Sequence, residues 1–97
     1  MFIVSLTYLK SLEEVDRHLD AHVSYLKQEY ANGSFVASGR KVPRTGGVIL
    51  SRLKSRQELE AVLAKDPFAQ AGIAEYEITE FAASMVAPGY EQLLESV

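Results

Sequence analysis

The hydrophobic period of this chain changes along its length in an order that few folds accommodate. Residues 2–8, FIVSLTY, set Phe2, Val4, Leu6 and Tyr8 against Ile3, Ser5 and Thr7, the alternation of a strand with one apolar face. From there the spacing becomes helical, through Leu12, Val15, Leu19, Val23, Leu26 and Tyr30. Ser11 with Glu14 forms a capping box at its start, and Asn32-Gly33 offers a left-handed stop. The spacing therefore predicts one helix of about twenty residues. SFVASGRK (34–41) and GVILSRL (47–53) read as two strands joined by VPRTGG turn chemistry, hence a hairpin. Ser55 and Glu58 cap a second helix over 55–64, with Leu59, Val62 and Leu63 as its buried stripe. DPFAQAG (66–72) is a single turn: Asp66 at the N-cap, Pro67 at N1, Gly72 just past the end. EYEITEFAASM (75–85) alternates again as a fourth strand, and 86–97 forms a short helix or an arm.

The resulting order, β-α-β-β-α-β, has one economical solution. Right-handed crossovers give an α+β, ferredoxin-like plan, a four-stranded antiparallel sheet with both helices on one face. No linker or repeat divides the chain, so residues 1–97 are expected to form one domain. The other sheet face is left bare. Regular alternation would place Ile3, Ser5 and Thr7 there, with Val36, Ser38, Arg40, Thr79 and Phe81. That mixture suits a homodimer interface enclosing a small cavity.

Composition removes several function classes. With 47% hydrophobic and 24% charged residues, the chain is an ordinary globular protein. A formal charge of −3 and scattered basic residues give no footprint for nucleic acid. The absence of cysteine removes disulfides, thiol nucleophiles and sulfur-bound zinc. MFIVSLTYLK carries no basic leader and no cleavage site, and is too short to span a membrane. A cytoplasmic protein without membrane or nucleic-acid partners is expected.

The only two histidines, His18 and His22, lie one turn apart on the first helix. On a helical projection His22 sits roughly 60° from the centre of the apolar stripe and His18 roughly 100° from it. His22 is thus half-buried, where an imidazole can be oriented, and His18 faces solvent. A metal centre would need a third ligand, and the chain has no other His and no HExxH glutamate; no metal or cofactor is expected. Asp66 has a structural reading as a helix cap, compatible with a second oxygen orienting an imidazole. Gly39, after Ser38, marks either a bulge or room for a ligand. Arg40 is either a solvated strand-end charge or an anion anchor.

Together these residues resemble the YciI-like (YCII-related) domain family of small dimeric ferredoxin-like proteins, of the dimeric α/β-barrel type. The resemblance covers nearly the whole length. It rests on RHLDAH (17–22), SFVASGR (34–40), VPRTGGVIL (42–50) and above all DPFAQAG (66–72), in that order after an N-terminal strand. It implies an active centre with a His–Asp pair, here His22 and Asp66. Ser38 and Gly39 would line the pocket and Phe68 would form part of its wall. Many relatives carry proline after the S-G pair, where this chain has Arg40.

A carboxylate on one imidazole nitrogen fixes the tautomer and leaves the other nitrogen to exchange a proton near neutral pH. No nucleophile motif, phosphate loop or cofactor fingerprint accompanies the pair. The expected activity is therefore proton transfer on a small organic molecule, an isomerisation or a lyase-type elimination. The other class left open is a dimeric module that binds a metabolite without turning it over.

Overall fold

The computed structural model describes residues 1–95. Its elements are β1 (Phe2–Tyr8), α1 (Leu12–Arg17), α2 (Leu19–Ala31), β2 (Phe35–Arg40), β3 (Gly46–Ser51), α3 (Arg56–Leu63), α4 (Pro67–Gln70) and β4 (Ala74–Glu80). The strands form one antiparallel sheet in the order β2-β3-β1-β4. This is the ferredoxin-like α+β plan, with β1 and β3 at its centre. Among the described residues, no helix is long and apolar enough to cross a membrane.

The core lies between the helices and one sheet face. Phe2, Val4 and Leu6 of β1 point into it, with Ile49 opposite Val4 and Phe35 at the edge. Val15, Leu59, Leu63 and Phe68 meet them from the helical side. Each such side chain contributes about 1.5–3 kcal/mol by leaving water. Both expected caps are made: Ser11 accepts from the Glu14 N–H, and Ser55 from the Glu58 N–H at 3.1 Å. At the end of α2, Gly33 takes φ +80°, the left-handed stop that Asn32-Gly33 predicts.

Two expectations change. The long first helix is two helices, broken at His18. There φ is −107° and ψ 1°, and the His18 N–H donates to Val15 O, three residues back, before the ladder resumes with His22 N–H on His18 O. β4 ends at Glu80 rather than 85, because β1 has no residues left to pair: Glu80 lies opposite Phe2, and one more bond joins Phe81 N–H to Met1 O. The tail is an arm with a single 3₁₀ turn at Glu91–Leu93, whose Glu95 carboxylate takes the Met1 amino group at 2.6 Å. The part of the tail expectation falling on residues 96 and 97 lies outside the described residues.

A third difference decides the site. Phe35 pairs with Ser51, but Leu50 pairs with Ala37, so Val36 is an extra residue in a β-bulge. Beyond it the alternation of β2 is inverted. Ser38 lies opposite Ile49 and Arg40 opposite Gly47, which puts both on the helix-facing side rather than on the bare face.

Candidate functional site

A cavity of about 170 Å³ lies between α2 and the β2-β3-β1 part of the sheet. It exists because the sheet supplies little bulk there: in the helix-facing row Leu6, Gly47, Arg40, the middle position has no side chain, and Ser38 is small. Leu19, Val23 and Leu26 of α2 form the opposite wall, with His22 among them, and Tyr8 and Phe68 close one end.

His22 is held from behind. Asp66 opens α4, with Pro67 at the first helical position, and its side chain is fully buried. Asp66 Oδ1 accepts the Phe68 N–H at 3.0 Å, the capping bond, and lies 2.7 Å from His22 Nδ1. An ionised carboxylate only accepts, so Nδ1 carries the hydrogen. Asp66 Oδ2 accepts the Tyr76 hydroxyl at 2.6 Å. The His22 ring lies flat on Phe68, with centroids 3.9 Å apart and planes within 4°. Held on one edge and one face, the imidazole has little rotational freedom. Its Nε2 has no hydrogen-bond partner among the described residues and retains solvent access.

The phenols around the carboxylate are neutral donors. Burial raises the Tyr76 phenol far above the usual tyrosine range, and the hydrogen bond and charge of Asp66 raise it further. Tyr25, tilted beside His22, is raised by burial and then by the Asp66 charge, and its hydroxyl donates to Val62 O at 2.8 Å. On the β2–β3 connection, Arg44 pairs with Asp16 of α1 at 2.6 Å and lies over the Tyr8 ring, 5.9 Å from its centroid. This pairing holds the Asp16 carboxyl below the usual carboxylate range.

Five of the six residues singled out from the sequence, His22, Ser38, Gly39, Arg40 and Phe68, line this one cavity, and Asp66 stands directly behind His22. His18 is half-buried at the helix break and lies outside the cavity lining. Among the described residues, no three His, Cys, Asp or Glu side chains are grouped so that they could hold a metal ion. Sequence reasoning missed Tyr76. Its signal was available: alternation in β4 puts Tyr76 in the inward row with Ile78, and an inward tyrosine needs a partner for its hydroxyl. Gly47, read from the sequence as the junction of the VPRTGG turn and the third strand, makes the room.

No curated protein matches the sequence closely. Among solved structures, the fold is similar to 5-chloro-2-hydroxyhydroquinone dehydrochlorinase (TftG) from Burkholderia phenoliruptrix AC1100, in complex with 2,5-dihydroxybenzoquinone. The TM-score is 0.69 at 19% identity, covering 84% of this chain and 93% of that one. The family model for the YCII-related domain matches residues 1–82, a span that takes in every side chain of the cavity and the carboxylate behind it. The chain belongs to the YCII-related domain family.

Proposed function

We propose that the protein is a small-molecule enzyme of isomerase or lyase type, in which His22 moves a proton and Asp66 positions it. The observation that carries this reading is the fully buried Asp66 carboxylate on Nδ1, which leaves Nε2 as the basic nitrogen on the cavity side. In the reaction, Nε2 takes a proton from carbon or oxygen of the substrate, and the freed electron pair moves into the adjacent bond. In an elimination that pair forms a double bond and the leaving group departs with its own electrons. In an isomerisation the proton returns to a different atom. Asp66 stabilises the transient imidazolium, and Tyr76 holds the carboxylate in place. The fold neighbour is named as a dehydrochlorinase, and removal of hydrogen chloride is a reaction that one base can begin.

Supporting the same reading, we assign the bare sheet face to a homodimer interface, the dimeric α/β-barrel arrangement. The residues carried there are Ile3, Val48 and Leu50, with Ser5, Thr7 and Thr79, and Glu75 and Glu77 along the β4 edge.

Deuterium uptake from D2O by a panel of small cyclic enols and hydroxylated quinones, followed by proton NMR, tests the chemistry. His22→Gln should slow uptake by about a hundredfold or more, the lower range for general acid–base catalysis. Nitrogen NMR of the wild type should show Nδ1 protonated and Nε2 bare. Binding with no uptake would identify a metabolite-binding module instead, and an Nε2-protonated ring would remove His22 as the base.

A further inference from the structure

The cavity is chemically lopsided. Leu19, Val23, Leu26 and Phe68 are apolar, whereas the facing wall carries the cationic Arg40. Two residues along the same face of the strand, about 7 Å away, is Ser38, whose hydroxyl is engaged by Tyr30. Arg40 forms no ion pair among the described residues. Asp16 is taken by Arg44 at 2.6 Å, and Arg40 acts on it only as a weaker, through-space charge. The bulge at Val36 is what turns Arg40 into this site; without it regular alternation would leave the charge on the opposite face. A planar cation beside a largely apolar chamber is suited to a small anion: its fork can meet two oxygens, and the chamber can take the hydrocarbon part. The volume limits that part. A cavity of 150 Å³ accepts benzene, so about 170 Å³ holds one six-membered ring with few substituents.

We infer that the ligand of this site is a single-ring organic anion, whose carboxylate or ionised enol oxygen is held by Arg40 while its ring lies against Val23 and Phe68 with one edge toward His22. The inference names a substrate class for the site proposed above; it rests on that reading for the reacting end of the ligand and on Arg40 for the other. Where proton removal by His22 places further charge on the enol oxygen, Arg40 faces the developing negative charge.

The test compares binding of benzoate, its neutral isostere benzamide, and 2,5-dihydroxybenzoquinone, whose ionised enol oxygens distinguish that source of charge from a carboxylate. Binding is read from NMR shifts of His22 and Phe68 in the full chain. The wild type should bind benzoate or the dihydroxyquinone at least about tenfold more tightly than benzamide. Arg40→Gln, at an exposed position, should erase that ratio by weakening the anions, and Arg40→Lys should retain part of it. Rising salt should weaken the anions alone. An anion-to-neutral ratio near one, a ratio unmoved in Arg40→Gln, or no shift from any anion at millimolar concentration would overturn the inference. His22→Gln separates the two proposals. Anion preference kept with deuterium uptake unaffected would sink the proton-transfer reading alone. His22-dependent uptake without anion preference would sink only this one.

Discussion

Asp66 serves three donors from a position with no solvent contact, and the way its oxygens divide them explains why a cap and an orienting carboxylate are the same residue. Oδ1 takes both the Phe68 N–H and His22, and Oδ2 is left for Tyr76. Asparagine could reproduce this count, because its Oδ1 keeps the first two bonds and its amide donates to the Tyr76 oxygen, which also accepts. Asp66→Asn should therefore fold with a loss of only about 1 kcal/mol, whereas Asp66→Ala, orphaning three buried donors, should lose about 3 kcal/mol or more. Urea midpoints check the difference. Tyr76 gives the pH dependence. Its folded phenol is raised by burial and by Asp66, so the folded chain keeps a proton that the unfolded chain loses above about pH 10. The corresponding stability is complete below pH 10 and declines as pH rises beyond it. Tyr76→Phe should be less stable at pH 7, by about 1.5 kcal/mol for a hydrogen bond to a charged group, with a flatter decline between pH 9 and 11. Parallel curves for the two proteins would show that Tyr76 does not carry this linkage.

At the scale of elements, the central strand pair and the caps contribute unequally. Ser55 at the start of α3 is a surface cap, and Ser55→Ala should cost about 1 kcal/mol. Gly46 is a different case. It lies opposite Thr7 where β1 and β3 pass so closely that an added Cβ would stand 1.8 Å from the Leu6 carbonyl oxygen. Gly46→Ala must push the two central strands apart and should cost about 3 kcal/mol, the upper range of overpacking. Guanidinium denaturation should rank the two variants in that order; an equally mild Gly46→Ala would mean that the central strand pair yields freely. The pattern of β2 was legible as a strand, but its faces were not. A bulge adds one residue without changing composition or propensity, so alternation counted from Phe35 assigns every side chain of β2 beyond the bulge to the wrong side.

For the whole molecule, the sheet has one face under helices and one without. The uncovered face presents Ile3, Val48 and Leu50, all half-buried within the single chain, beside Ser5, Thr7 and Thr79, with Glu75 and Glu77 along the β4 edge. A second copy laid across it would remove the patch from water, and the proposed homodimer predicts twice the chain mass by light scattering at micromolar concentration. A monomer there would leave the cavity to be completed within one chain. The arrangement already permits that, because the cavity lies on the helical side of the sheet, not on the bare face where the sequence placed it.

What the sequence determined by itself is local. Periodicity specified the elements, because side-chain repeats of 2 and 3.6 residues follow from backbone geometry, and the capping boxes marked where helices begin. Element order then left the ferredoxin-like sheet as the economical topology. The DPFAQAG segment carried both its turn and its resemblance. The meeting of His22 with Asp66, forty-four positions away, and of Asp66 with Tyr76 was decided only when α2, α4 and β4 closed around one carboxylate. The side of the sheet on which Arg40 stands was decided by a register shift of one residue. Neither has a local signature, since each depends on which strand lies opposite which, and pairing is a property of the assembled sheet.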